Sequence, residues 1–296
     1  MVMKRKKRNA NWQLFFAIVL YAACVYRIFA VNEMPQETVF SFSQNALFFR
    51  SFSVILLTIN AIILPFVVRR QKLIELKNYY PSVFYLLLSF LFPTVLNPIS
   101  LFAGLIFILG IFQNLFDLEE HNINRKMFQS GFCVGILSLL HFPLIGLLLF
   151  AYLACFTYRR FSFRIFFLPI VGVFFPFLYW YSALYIFGCD LSLQENMRQM
   201  GESLLQFQFF NLTETPMILI AVILLSIISL FLIYSLWTAS SKSSVLRRKK
   251  YYILLALFLF SMTFALLYSQ YYVEMFIVVY AIVLSVHLVH ANKKQV

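Results

Sequence analysis

Charge is scarce in this sequence, and so are the motifs of soluble active sites. Charged side chains make up 12% of the 296 residues, whereas soluble globular domains average about 25%. The chain contains only 8 glycines and no Walker loop, GxGxxG, GxSxG or HExxH pattern. The nucleotide-binding, serine-hydrolase and zinc-protease sites that depend on those patterns are therefore excluded.

Cysteine and histidine are also few, with 4 residues of each. Cys24, Cys133 and Cys155 lie inside apolar runs, and no CxxC or Cys/His cluster occurs. Neither a disulfide framework nor a Cys/His metal site is therefore predicted. The sequence identifies no cofactor, and it leaves open whether a divalent metal takes part in any reaction.

Apolar residues are what the chain has in excess. They make up 62% of the sequence, with 37 phenylalanines and a mean hydropathy of +0.85. Many windows exceed the roughly 20 apolar residues that cross a bilayer as a helix. The predicted fold class is an all-α polytopic membrane protein, whose first partners are membrane lipids.

Positive charge is concentrated in clusters between the apolar stretches. In a soluble protein a net charge of +13 would suggest nucleic acid, but these clusters border predicted spans, so no nucleic-acid partner is expected. Placing every cluster on the cytoplasmic side requires an even number of spans between neighbouring clusters, and two spans in each interval put both termini inside. The predicted localisation is a bacterial inner membrane, which the chain crosses many times.

A single integral membrane domain, residues 1–296, accounts for the whole chain in this topology. Two long external loops, residues 32–50 and 188–216, and three short outer hairpins join the spans. The ten predicted spans are residues 12–31, 51–68, 81–97, 99–116, 127–141, 143–158, 165–187, 217–238, 251–268 and 271–290. The basic residues that then lie on the outer side are Arg27, Arg50 and Arg198.

The stretch "LSLLHFPLIGLLLF" shows why short hairpins are predicted. One helix over the uncharged residues 127–158 would be about 48 Å long, whereas the hydrocarbon core is about 30 Å thick. We expect a turn instead, with Pro143 opening the second helix. Because each arm is short, the turn is predicted to be recessed, with His141 lining an outward polar cavity. In the alternative, His141 only caps a neighbouring helix end.

Three further polar residues fall in or between predicted spans. Asn97 precedes Pro98 in a second tight turn, where its amide either supplies local hydrogen bonds or contacts a substrate. Glu274 lies about one turn into the last span, and Arg27 lies near the outer end of the first. Ionisable residues are costly in lipid, so both are candidate functional residues. Arg27 either binds an acid or a phosphate or extends to the interface.

The two external loops carry the remaining candidates. The first contains Glu33 and Glu37 in "VNEMPQETVF", and a carboxylate held in a partly desolvated cavity can act as a general base. Glu33 is the stronger candidate, and the alternative is a solvated carboxylate. The second loop, "LSLQENMRQMGESLLQFQFF", predicts an amphipathic helix in the interface plane or a roof over the bundle. "TVFSFSQNALFFR" predicts a second interfacial helix.

The order of these elements resembles that of the GT-C superfamily of lipid-dependent membrane glycosyltransferases over roughly residues 12–238. That family has an acid just after the first span, short hairpins, a seventh span and a second long loop with an amphipathic helix. Here "VNEMPQETVF", the turns at Asn97 and His141, and "LSLQENMRQMGESLL" take those places. The resemblance implies transfer of a sugar from a polyprenyl-phosphate carrier to an envelope acceptor on the outer face.

The same resemblance implies roles for individual residues. Glu33 becomes the candidate general base on the acceptor hydroxyl, with Glu37 as a second acid. Members of the family usually carry two closely spaced acids, whereas Pro35 stands between these two, and no large soluble domain follows the spans. The candidates for binding the substrate or the lipid phosphate are Arg27, Arg50, Asn97, His141, Arg198 and Glu274.

The whole chain also resembles a family of small polytopic membrane proteins from Bacteroidota, and this second resemblance implies no activity. Two other classes of function therefore stay open. One is a non-enzymatic membrane subunit that scaffolds an envelope complex, and the other is a transporter of a lipid or a small solute. Protein partners are left open in every case.

Overall fold

The regular structure of the described residues is entirely helical. The computed structural model describes residues 2–30, 46–74, 78–92, 96–118, 122–159, 162–186, 216–241, 244–267 and 269–293. We number the helices of these ranges α1 Val2–Ala30, α2 Ala46–Arg70, α3 Tyr80–Leu91, α4 Pro98–Phe116, α5 Ile123–Leu140, α6 Phe142–Thr157, α7 Phe163–Ile186, α8 Pro216–Ser241, α9 Val245–Leu267 and α10 Ser269–Lys293.

Each predicted span coincides with one of these helices, although several boundaries differ. Helix α1 begins at Val2, so the basic segment that precedes the first predicted span is helical as well. Helix α2 begins at Ala46, so Arg50 lies in this helix and not in the first external loop. Helix α3 ends at Leu91, short of the predicted limit at residue 97. Helices α1 and α2 extend beyond the apolar runs that predict them. Helix α3 stops before the residue that precedes Pro93, because that residue is disfavoured in the helical conformation.

Four stretches among the described residues are long and apolar enough to cross a membrane. They are Trp12–Ala30, Leu47–Arg70, Pro98–Phe116 and Phe163–Ile186. Four shorter apolar helical stretches accompany them, Tyr80–Leu91, Phe142–Thr157, Ile228–Thr238 and Val273–Val289. Length and composition therefore agree with the predicted class of all-helical membrane protein.

The chain divides into two compact units, which we call unit 1 (Met1–Leu105 with Ile277–Val296) and unit 2 (Ile106–Phe276). In unit 1, α1 and α2 are antiparallel, because Tyr21 Oη lies 2.8 Å from Thr58 Oγ1 and Arg50 Nη1 donates to Phe29 O at 3.1 Å.

Helix α3 runs parallel to α1 within unit 1. Cys24 Sγ lies 3.4 Å from Leu86 O, and Arg27 Nη1 donates to Phe90 O further along both helices. Helices α1 and α3 therefore end at the same end of unit 1, where α2 begins.

Unit 2 is organised by a close crossing of α5 and α7. Gly135 of α5 lies against α7, and a Cβ there would come 2.7 Å from Val173 O. Gly172 of α7 lies against α5, where a Cβ would come 2.5 Å from Phe128 O, and Gly131 contacts the backbone at Pro169 in the same way. Small residues allow this backbone-to-backbone approach, as in membrane helix pairs with a GxxxG motif.

Helices α5 and α6 form a hairpin. The first of them ends at Leu140, and a 3₁₀ turn over Phe142–Gly146 with Pro143 near its start opens α6. Met127 Sδ, early in α5, lies 3.6 Å from Cys155 Sγ, late in α6. The chain therefore reverses between them, which confirms the predicted turn at "HFP".

Candidate functional site

Arg27 is held at the end of unit 1 where α1 and α3 finish. Its Nη1 donates to Phe90 O in the last turn of α3, and its guanidinium lies 5.1 Å from the centre of the Phe90 ring. The last carbonyls of a helix have no partner within the helix, and a cation near them interacts favourably with the helix dipole. Arg27 therefore joins α1 to α3, and it remains half-buried beside an aromatic ring.

Arg50 lies at the same end of unit 1, although it comes from a different helix. Its Nη1 donates to Phe29 O in the last turn of α1 at 3.1 Å. The tertiary structure thus brings two guanidinium groups, Arg27 and Arg50, to neighbouring helix termini. The sequence identifies each arginine as a candidate but does not predict that both bind helix-end carbonyls.

Several of the predicted site residues lie outside the described residues. These are Glu33 and Glu37, the two candidate acids, and Arg198, the third outer arginine. The predicted amphipathic helix "LSLQENMRQMGESLLQFQFF" also lies there, as does most of "TVFSFSQNALFFR". Residues 46–50 of that second stretch are the first residues of α2.

Asn97 acts within its own turn. Its Oδ1 accepts a hydrogen bond from Ile99 N at 3.3 Å, and its carbonyl accepts one from Leu101 N at 3.0 Å. This is the arrangement by which an asparagine caps a helix N-terminus, here with Pro98 as the first helical residue. The geometry agrees with the prediction of local hydrogen bonds, and a contact with substrate stays a prediction.

His141 lies between the end of α5 at Leu140 and the start of α6 at Phe142. Its backbone is extended, with φ −145° and ψ 109°. Its N–H donates to Leu137 O at 2.9 Å, and its carbonyl accepts from Leu144 N at 3.0 Å. The backbone of His141 therefore bonds to the last turn of α5 and to the first turn of α6. Its side chain is half-buried. The outward polar cavity that the sequence predicts around it stays a prediction.

Glu274 is buried in α10, with 2% of its surface exposed. The residues that follow it, 277–283, are each at most 1% exposed, so this part of α10 is enclosed on every side. A helix without a polar face is expected to be buried in this way. The carboxyl group of Glu274 thus lies at the start of the most deeply buried part of the helix, and its role in substrate binding stays a prediction.

The described residues do not form a metal centre. Within them, no group of three or more His, Cys, Asp or Glu side chains is placed so that it could hold a metal ion.

A buried asparagine is the polar feature that the sequence reasoning missed. Asn60 in α2 is 0% exposed, and its Nδ2 donates to Leu101 O of α4 at 2.9 Å and to Tyr85 Oη of α3 at 3.3 Å. The signal was present, because residues 53, 57, 60, 64, 67 and 71 recur at helical spacing and include Ser53, Asn60 and Gln71. All six are at most 1% exposed, so one face of α2 is buried and partly polar.

The comparison with protein families covers almost the whole chain. A model described as "Family of unknown function (DUF6427)" matches residues 10–295. The chain belongs to the DUF6427 family. No curated protein and no solved structure matches it. Membership of DUF6427 assigns both units to one family and attaches no activity to any residue.

Proposed function

We propose that this DUF6427 member is an integral protein of a bacterial inner membrane that transfers a sugar from a polyprenyl-phosphate carrier to an envelope acceptor on the outer face. The observation that carries the proposal is the position of Arg27 and Arg50. They come from different helices, and Arg50 bonds to Phe29, two residues from Arg27. Two guanidinium groups at one end of apolar helices suit a lipid phosphate at headgroup level.

The proposed topology has ten spans, with both termini in the cytoplasm. The four long apolar stretches support the membrane assignment. The positive-inside rule supports the orientation, because the basic clusters recur at every second loop of the proposed topology. Arg27 and Arg50 then lie on the outer side, next to the loop that contains Glu33. This layout is the GT-C-like order of elements on which the proposed activity depends.

The arginines are proposed to bind the phosphate of the carrier. A guanidinium has five N–H donors in a rigid fork that matches phosphate oxygens. The contact of Arg27 with Phe90 O uses one of those donors. The same hydrogen bond keeps the guanidinium beside the Phe90 ring, so its orientation is set before the lipid binds. Such preorganisation reduces the entropy lost on binding.

In the proposed reaction, Glu33 accepts the proton of the acceptor hydroxyl as the hydroxyl oxygen bonds to the anomeric carbon of the sugar. The bond between that carbon and the phosphate oxygen of the carrier breaks. Polyprenyl phosphate leaves as an anion, and Arg27 and Arg50 stabilise its charge. A positioned general base contributes typically about 10²- to 10⁴-fold to such a rate.

The test uses a strain that lacks the protein and is complemented with variants. We expect the deletion strain to accumulate a lipid-linked sugar and to lose a surface glycan, both measured by mass spectrometry. Wild-type protein and the Arg164→Met control, an exposed arginine of α7, should restore both. Glu33→Gln should restore neither at equal protein level, because the proton has no acceptor.

Unchanged glycans and unchanged lipid-linked intermediates in the deletion strain would contradict the transferase. Co-purification of the protein with an envelope complex in that case would favour the non-enzymatic subunit.

A further inference from the structure

The interior of unit 1 contains polar side chains, and several of them form hydrogen bonds between helices. Ser82 Oγ donates to Ala61 O across the α2–α3 contact at 2.6 Å. Thr58 Oγ1 lies 2.8 Å from Tyr21 Oη across the α1–α2 contact. Hydrogen bonds of this kind between helices are expected inside a membrane bundle. In these two contacts the side-chain hydroxyl groups already have hydrogen-bond partners within the protein.

Asn60 differs, because only one end of its amide is used. A carbonyl oxygen can only accept, so the atom that faces Leu101 O must be the NH₂ group, and the orientation of the amide is fixed. Oδ1 therefore points away from Leu101. No described residue donates a hydrogen bond to it, although Asn60 is 0% exposed.

Ser89 of α3 is in the same position. It is 0% exposed, and its Oγ has no hydrogen-bond partner among the described residues. It follows Tyr85 by one helical turn on the same face of α3. Since Asn60 is level with Tyr85, Ser89 lies about one turn, ~5.4 Å, further along the bundle. Buried polar side-chain atoms nearly always have a partner, so two such atoms one turn apart point to a bound molecule.

We propose that Asn60 and Ser89 form a binding site in unit 1 for a small neutral molecule that donates O–H groups. An O–H group supplies the donor that Asn60 Oδ1 accepts, and its oxygen can accept from the Ser89 hydroxyl. An anion has no donor for Oδ1, and a cation meets no carboxylate among the described residues of unit 1. One ordered water, or one hydroxyl of a small polyol, bridges two atoms about 5.4 Å apart with two hydrogen bonds.

The site is independent of the proposed sugar transfer, because it involves neither Glu33 nor the two arginines. Its test therefore needs no enzymatic readout. The informative variant is Ser89→Ala, since the lost hydroxyl bonds to no described protein atom. If it bonds to a guest, its removal should lower the apparent Tm of the detergent-purified protein by about 2 °C or more.

The matched control is Ser285→Ala, also in unit 1. Ser285 is 0% exposed, and its Oγ donates to Ile282 O of its own helix at 2.7 Å. Its substitution shows how much Tm falls when a buried serine loses a known partner. If Ser89 has no partner, its replacement removes an unsatisfied polar group, and Tm stays the same or rises. That result would overturn the proposal.

A second measurement detects a water molecule bound at the site. Radiolytic hydroxyl-radical labelling, read by mass spectrometry, should modify Tyr85 faster than Tyr251, although the two are 0% and 1% exposed. The excess should disappear in Asn60→Leu. Equal labelling of both tyrosines in the wild type would show that the site holds no water.

A titration with glycerol separates the two sources of O–H groups. If the site binds a polyol, glycerol raises Tm more in the wild type than in Ser89→Ala. If it binds only water, glycerol raises the Tm of the wild type and the Tm of Ser89→Ala by the same amount. A larger rise in the wild type identifies a polyol, and an equal rise with faster labelling of Tyr85 identifies water. An equal rise with equal labelling of Tyr85 and Tyr251 would overturn the proposal.

Discussion

Single residues in this protein tend to complete the ends of helices. Asn97 bonds to the first turn of α4, and Arg27 and Arg50 bond to the last turns of α3 and α1. Helix ends leave backbone groups without partners, and the cost of such groups rises where water is excluded. A polar residue beside a helix terminus in an apolar chain therefore has a structural role whether or not it also binds substrate.

The cap formed by Asn97 is testable by two substitutions. Asn97→Ala should lower the free energy of unfolding by about 0.5–2 kcal/mol, because α4 loses the acceptor for Ile99 N. Asn97→Asp keeps that oxygen and should remain close to the wild type. Unfolding in detergent, followed by circular dichroism, measures both. Equal stability of the alanine variant and the wild type would mean that the hydrogen bond contributes nothing.

At the scale of helices, glycine determines which pair packs most closely. Gly131 and Gly135 form a GxxxG pattern in α5, and Gly172 faces them from α7. A pattern in one helix can be read from the sequence, whereas its partner cannot. The helix that packs against it is the one whose small residues expose its backbone at the point of contact, as Gly172 does in α7.

The close crossing predicts a penalty for added volume. In Gly135→Ala the new Cβ would come 2.7 Å from Val173 O and 2.9 Å from Pro176 Cγ. We expect a loss of about 1–3 kcal/mol of unfolding free energy, the usual cost of overpacking. Asn124→Ala, an exposed change in the same helix, should stay within about 0.5 kcal/mol. Denaturant titration in detergent compares the two, and equal effects would contradict the crossing.

The α5–α6 hairpin predicts a cross-link. In a Met127→Cys variant whose only other thiol is Cys155, oxidation with copper phenanthroline should join the two positions as a disulfide, because the sulfur atoms of Met127 and Cys155 lie 3.6 Å apart. In one continuous helix these positions would be about 42 Å apart, and no disulfide could form between them. Peptide mass spectrometry identifies the product. A control that combines Met127→Cys with Cys155→Ser should give none, and failure of the two-thiol protein to cross-link would exclude the hairpin.

At the scale of the whole molecule, charge is expected to decide orientation. The basic clusters recur between pairs of helices, and positively charged loops remain in the cytoplasm. Apolar length sets how many helices can enter the bilayer, but it does not distinguish inside from outside. The orientation therefore depends on the arginines and lysines outside the helices' apolar stretches.

Membrane-impermeant thiol labelling tests this orientation. In a background without other cysteines, Met3→Cys and Gln295→Cys should react only after the inner membrane is opened. Ser192→Cys, in the second proposed external loop, should react in intact spheroplasts. The physical reason is that the reagent reaches only the outer face. Labelling of either terminus in intact spheroplasts would show that the orientation is reversed or that the number of spans is not ten.

The position of the helices and of two turns could be predicted from the sequence, because both depend on neighbouring residues. Apolar run length indicated where each helix lies, and proline with flanking charge indicated the reversal at His141. The end of α3 at Leu91 is also local, because Pro93 follows and disfavours the helical conformation for Phe92, although the predicted span continued to residue 97. The bonding of Arg27 and Arg50 to helix ends could not be predicted, because their acceptors belong to other helices.

The sequence by itself determined the class of this protein, its helical segments and its membership of DUF6427. Helical hydrogen bonds join residues four apart, and burial in lipid depends on composition, so both are local properties. Only the tertiary structure decided that Arg27 and Arg50 lie at the same end of unit 1, that Gly172 meets Gly131, and that Asn60 has Tyr85 and Leu101 as partners. These contacts join residues distant in the chain, and no local pattern specifies which distant helix will provide them.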